Sequence, residues 1–165
     1  MHTDEFTFST GITARIGKVS PLLIADIERA LRRQWANDEP QPPTESVDMG
    51  AGPVDLPNPH DPDYLAAKAE FDQRVDTEVS RRWDEMIIRR AVEIEVDEQA
   101  LNAVAADYAA VMGEPLPLTG DRKVDYVRRV AIGSWQDIAE LRRIVTQRSI
   151  PTREAVQAHA ATFQG

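Results

Sequence analysis

Cysteine is absent from this 165-residue chain, which excludes a disulfide framework, thiolate nucleophiles and cysteine-bound metals. Long hydrophobic runs are missing too. Apolar runs such as Met86-Ile87-Ile88 fall far short of the roughly 18–20 residues that span a bilayer, so no membrane partner is expected. The first residues, Met-His-Thr-Asp-Glu, are acidic where a signal peptide would be basic, and no apolar stretch follows them. These features favour synthesis and residence in the cytosol. Histidine is scarce, with only His2, His60 and His159, and there is no Gly-x-Ser-x-Gly elbow, so nucleophilic catalysis has little to draw on. Gly50-Ala51-Gly52 is neither a Walker loop nor a dinucleotide fingerprint, as no Lys-Ser/Thr follows it. No cofactor is called for.

What is present is charge, unevenly placed. The net charge is −9. Residues 36–78 hold eleven acids and only two bases, Lys68 and Arg74, so this segment alone carries a charge of −9 and the remainder is neutral. Such a segment repels nucleic acid, whose phosphates dominate its binding energetics. Five Arg-Arg pairs (32–33, 81–82, 89–90, 128–129, 142–143) argue the other way. Each falls in a helical pattern beside acids and reads as a solvated helix face, so no nucleic-acid partner is expected.

Periodicity places one domain over 1–165, mostly helical with a small sheet (α+β). Over 1–18, Phe6, Phe8, Ile12, Ala14 and Ile16 alternate with polar residues between Gly11 and Gly17, the pattern of a β-hairpin. Ser20-Pro21 opens a helix over 20–36, on which Leu22, Leu23, Ile27, Ala30, Leu31 and Trp35 follow a 3–4 spacing. Residues 38–61 form an acidic arm; seven of the eleven prolines lie between 38 and 62. Prolines exclude a helix or a central strand there, leaving an extended arm, a draped loop, or a short hairpin from Ser46-Val47 to Val54-Asp55 about the glycines. Asp61-Pro62 starts a long helix over 62–90. Its stripe runs through Tyr64/Leu65, the Lys68 stem, Phe71, Val75, Val79, Trp83 and Met86/Ile87 to Arg90. Ala91–Val96 alternates as a strand that would place Glu93 and Glu95 on one face.

Residues 97–165 read as helices. Asp97 caps one containing Leu101, Val104, Ala105, Tyr108, Val111 and Met112 and ending at Gly113. Asp121 opens another, with Val124, Val127, Val130 and Ala131, that stops at Gly133. Ser134 to Asp137 resembles a capping box ahead of Ile138, Leu141, Ile144 and Val145. Thr152 caps a terminal helix with Ala155, Val156, His159 and Phe163.

Three groups bear on chemistry. His60-Asp61-Pro62-Asp63 offers an imidazole and two carboxylates, but no second histidine is near and Asp61 is committed to a helix cap, so no metal site is assigned. Glu93 and Glu95 lack a pocket that would separate their pKa values for proton transfer. Trp35, Trp83 and Trp135 lie on or beside apolar stripes and are assigned to the core. The arm and the start of the following helix are the candidate partner surface: Pro53, Leu56, Pro57, Asn58, Pro59, Asp61, Pro62, Tyr64, Phe71 and Trp83. Prolines there lower the entropy lost on binding.

The motifs Phe6–Gly11, Val19-Ser-Pro-Leu-Leu-Ile24, Val47-Asp-Met-Gly50, Pro57-Asn-Pro-His-Asp-Pro-Asp-Tyr64, Val92-Glu-Ile-Glu-Val96 and Pro151-Thr-Arg-Glu-Ala-Val156 occur in that order. The chain thereby resembles small proteins of the tail modules of long-tailed phages and prophages, the tail assembly chaperones or minor tail proteins, over nearly its whole length. The resemblance implies a non-enzymatic protein of the host cytoplasm that binds phage tail proteins, chiefly the tape measure protein, and is compatible with a homo-oligomer. The rival readings are a minor tail or connector protein retained in the virion, a small enzyme with an unrecognised carboxylate site, and a DNA-binding regulator.

Overall fold

The computed structural model describes residues 5–20, 22–48, 50 and 52–149. The helix expected from Thr152 and the motif Pro151–Val156 lie outside them. Within them the fold is mostly helical with small antiparallel sheets, an α+β arrangement, and no helix is long and apolar enough to cross a membrane. The described residues divide into two compact units, residues 5–23 with 83–149 and residues 24–82. The division falls inside α1 (Leu22–Gln34) and inside α2 (Pro62–Ala91).

The first unit opens with a hairpin of β1 (Glu5–Thr7) and β2 (Thr13–Ile16). Its turn closes by hydrogen bonds from Phe8 N to Ile12 O and from Gly11 N to Phe8 O, both 2.8 Å, with Gly11 at φ +86°. Alternation works as the pattern requires: Ala14 and Ile16 are buried while Thr13 and Arg15 are exposed. Phe6 and Phe8 meet edge to face, with centroids 4.9 Å apart. The strand expected over 91–96 shrinks to β5 (Val92–Glu93). It pairs antiparallel with β2, Ile16 opposite Val92, giving the order β1-β2-β5. Helix α2 runs on through Ala91, which leaves only two residues before the chain turns toward the Asp97 cap. Glu95 therefore lies outside the strand, and the expected Glu93/Glu95 face does not form.

α3 (Glu98–Met112) has the expected ends: Asp97 Oδ1 accepts from Ala100 N at 3.0 Å, and Gly113 at φ +73° donates to Ala109 O. Leu101 is buried, but Val111 and Met112, expected on the apolar stripe, are exposed. Asp121 caps α4 (Arg122–Tyr126), which passes into a π turn at Val127–Ala131, closed by Ile132 N to Val127 O at 2.9 Å. The 3.6-residue pattern did not foresee that extra residue. α5 (Trp135–Ser149) buries Leu141 and Val145. Trp135 is 76% exposed, so it is not a core residue. It precedes Asp137 by two residues, about 200° of helix, and so points away from the buried stripe of Asp137, Leu141 and Val145.

Two buried carboxylates brace this unit. Asp137 accepts from Ser9 N (3.0 Å), Ser9 Oγ (2.7 Å), Gly133 N (2.8 Å) and Ser134 N (3.2 Å). Asp137 thus makes the carboxylate half of the expected capping box and extends it to the β1–β2 turn. Burial alone would raise the Asp137 pKa; the four hydrogen bonds outweigh it, and the net direction is down. Asp125 Oδ1 accepts from Thr119 N and Oγ1 at 2.8 and 2.9 Å. The Arg142 guanidinium grips Asp84 in a fork, with Nη2 to Oδ2 at 2.8 Å.

Candidate partner-binding arm

The second unit begins on α1, which buries only Leu31. A single 3-10 turn follows at Ala36–Asp38. The arm then becomes a two-stranded ribbon of β3 (Thr44–Asp48) and β4 (Pro53–Pro57), antiparallel, with Ser46 opposite Asp55 and Val47 opposite Val54. Of the three forms open to the arm, the hairpin about the glycines is the one adopted. Proline is compatible with it because a two-stranded ribbon has only edge strands, where a missing amide need not break a ladder. Gly50 and Gly52, at φ +81° and +121°, make the turn, and Gly50 N donates to Asp48 Oδ1 at 2.8 Å.

At its base, Asn58 N donates to Pro43 O at 2.7 Å, Asn58 Nδ2 to Glu45 Oε2 at 3.1 Å, and His60 N to Asn58 Oδ1 at 3.1 Å. Asp61 then accepts from Tyr64 N at 2.9 Å, capping α2 as expected. Beyond the cap, charge organises the helices. Lys68 Nζ bridges Glu39 and Asp72, each at 2.9 Å, and Arg32 reaches Glu28 and Asp72 at 2.9 and 3.0 Å. The hydrogen bonds donated by Lys68 and Arg32 pull the Asp72 pKa down, and those that Lys68 donates to Asp72 and Glu39 push its own pKa up. Further along, Arg81 first and then Arg82 hold Glu78 down to about 2, against its partial burial. Arg74 stacks over Trp35 and Phe71, 4.8 and 5.3 Å from the ring centroids, and Lys68 covers the other part of Phe71 at 5.2 Å.

The ten sequence-derived site residues separate into three groups. Pro53, Leu56 and Pro57 lie on β4, exposed. Asn58, Pro59, Asp61, Pro62 and Tyr64 form the junction between ribbon and helix, where Asn58 and Asp61 are occupied as turn and cap residues. Phe71 and Trp83 are 4% and 6% exposed. They are core residues and are removed from the partner surface, because the 3–4 stripe that singled them out is the buried stripe of α2. Val47 and Val54 were not among the expected surface residues; each lies two positions from the Met49–Gly52 block, within an alternating strand, and that was the available signal.

The described residues contain no cluster of three or more His, Asp or Glu side chains able to hold a metal. His60 is exposed. Apart from Asp137, carboxylates and arginines with displaced pKa values are held in structural pairs, such as Asp72 with Lys68 and Arg32, Glu78 with Arg81 and Arg82, and Arg142 with Asp84. Trp35, assigned to the core from sequence, is half-buried beneath Arg74.

The chain matches no protein-family model, and comparison with curated proteins and with solved structures gives no match either.

Proposed function

We propose that this chain is a non-enzymatic binding protein whose acidic, proline-rich arm takes a protein partner. On its sequence resemblance, it serves as a tail assembly chaperone for a phage tape measure protein. One observation carries the reading: the arm is a built ribbon, hydrogen-bonded at base and tip, yet every residue of both strands is exposed. A two-stranded ribbon is marginal in water unless a third strand or a helix supports it, and a bound partner supplies that support. The acidic charge of residues 36–78 keeps such a protein and its apolar client dispersed. The enzyme reading gains nothing from Glu93 and Glu95, which do not share a strand face. The regulator reading is weakened by the carboxylates that engage Arg32, Arg81, Arg82, Arg89 and Arg142.

The test is co-expression with a tape measure protein of a long-tailed phage. Co-purification and a rise in the client's soluble fraction are expected. A client that stays insoluble and elutes without this chain contradicts the proposal. Mass spectrometry of finished particles then separates an assembly factor, which is absent from them, from a retained tail component.

A further inference from the structure

The two faces of the ribbon are chemically different. Cross-strand partners share a face and side chains alternate along each strand. The register therefore places Glu45, Val47, Val54 and Leu56 on one side, and Thr44, Ser46, Asp48, Pro53, Asp55 and Pro57 on the other. Val47, Val54 and Leu56 are 38%, 46% and 41% exposed, a contiguous apolar strip. Glu45 stands on the same face, Asp48 and Asp55 line the opposite face of the same thin ribbon, and no lysine or arginine occurs from Gln34 to Ala67. A partner that covers the strip must bring apolar side chains and, beside them, positive charge.

Three occupants can be weighed. A second copy of the same face would set Glu45 against Glu45 and bring two acidic arms together, which like-charge repulsion opposes. A strand added at an edge would leave the apolar face wet, and β4 begins and ends in proline. A helix laid across the face covers it. Five residues of strand extend about 16 Å, which is about three turns of α-helix. We infer that the Val47–Val54–Leu56 face seats an amphipathic helix that carries Lys or Arg beside its apolar stripe. The inference deepens the binding proposal above and shares its surface.

The test uses the full chain and two fluorescent helical peptides of about eighteen residues. They share one leucine stripe but are flanked by lysine in one and glutamate in the other. The lysine peptide is expected to bind at least about tenfold more tightly in low salt, with affinity falling as salt rises. The triple variant V47T/V54T/L56T keeps strand propensity and removes the apolar strip, and it should lose about tenfold or more. E45Q/D48N/D55N should flatten the salt dependence. Ser46→Thr, on the other face, should bind as the parent does. Equal binding of both peptides, full binding by the V47T/V54T/L56T chain, or self-association that this variant abolishes would overturn the inference. The tape measure protein separates the two proposals. If it co-purifies equally with parent and triple-threonine chains, the helix-seating face is wrong and the chaperone reading stands. If the peptide binds the face but the tape measure protein is not retained, the reverse holds.

Discussion

The two compact units are held by different forces. Residues 5–23 and 83–149 contribute seventeen of the twenty buried apolar side chains among the described residues. They add a buried carboxylate, Asp137, that ties a hairpin turn to a helix start. Residues 24–82 bury three, Leu31, Phe71 and Val75. Ion pairs and cations lying over aromatic rings do much of the rest. Apolar burial is worth more per residue and is insensitive to salt, whereas exposed pairs are worth little and are screened. The first unit is therefore built to persist, and the second to present a charged surface.

The largest effects should come from the packed unit. Leu141→Ala empties a fully buried site and should cost about 2–5 kcal/mol in denaturant unfolding. Gly133→Ala should rival it, because its Cβ would lie 2.5 Å from Ser9 Oγ and 2.9 Å from Thr10 Cγ2. Neither side chain can easily yield, since Ser9 Oγ is bonded to Asp137 and Thr10 Oγ1 to Ala131 O. Asp137→Ala leaves the Ser9, Gly133 and Ser134 amides without their acceptor and should cost about 2–4 kcal/mol. If all three variants leave the unfolding midpoint unchanged, the contrast between the units is wrong.

Acid sharpens the comparison. Asp137, Asp72 and Glu78 all have lowered pKa values. A lowered carboxylate stabilises the fold above its unfolded pKa, and that stability is lost as pH falls through the folded value. For Glu78 the window runs from about 4.5 down to about 2. Stability should therefore fall monotonically below pH 4.5. In high salt, the part of the loss owed to Asp72 and Glu78 should shrink, and the part owed to buried Asp137 should persist. Parent and D137N chains unfolded at pH 7 and pH 3, with and without salt, measure this; an acid loss in the parent that salt removes entirely contradicts it. Smallest of all, Lys68→Met loses both carboxylate partners and the ammonium over the Phe71 ring. It should cost at most about 1 kcal/mol, less in high salt.

Much of this was legible in the sequence because local rules and tertiary packing agreed. The Asp97–Gly113 helix, the Asp61-Pro62 start and the Val47/Val54 hairpin each rest on caps, prolines or glycines whose effect is local. The misreadings were tertiary. Val111, Met112 and Trp135 have core-like residue types and helical spacing, yet they face solvent. Phe71 and Trp83 were listed with the partner surface, Trp83 also with the core, and burial decides for the core. Periodicity says which residues share a face but not what covers it. The Asp137–Ser9 bond spans 128 positions and has no local signature. The acidic arm was visible through composition, and its apolar face only through strand register.

Excision of the ribbon addresses the central claim most directly. Asn58 N already bonds Pro43 O at 2.7 Å, so Thr44–Pro57 can be replaced by a short glycine linker. The excised chain and the parent would each be co-expressed with the tape measure protein, and their thermal unfolding compared. The account predicts an unfolding midpoint within a few degrees of the parent, since the buried side chains lie outside the excised segment, together with loss of the co-purified partner. Retention of the partner at parental levels by the folded, ribbonless chain would contradict it.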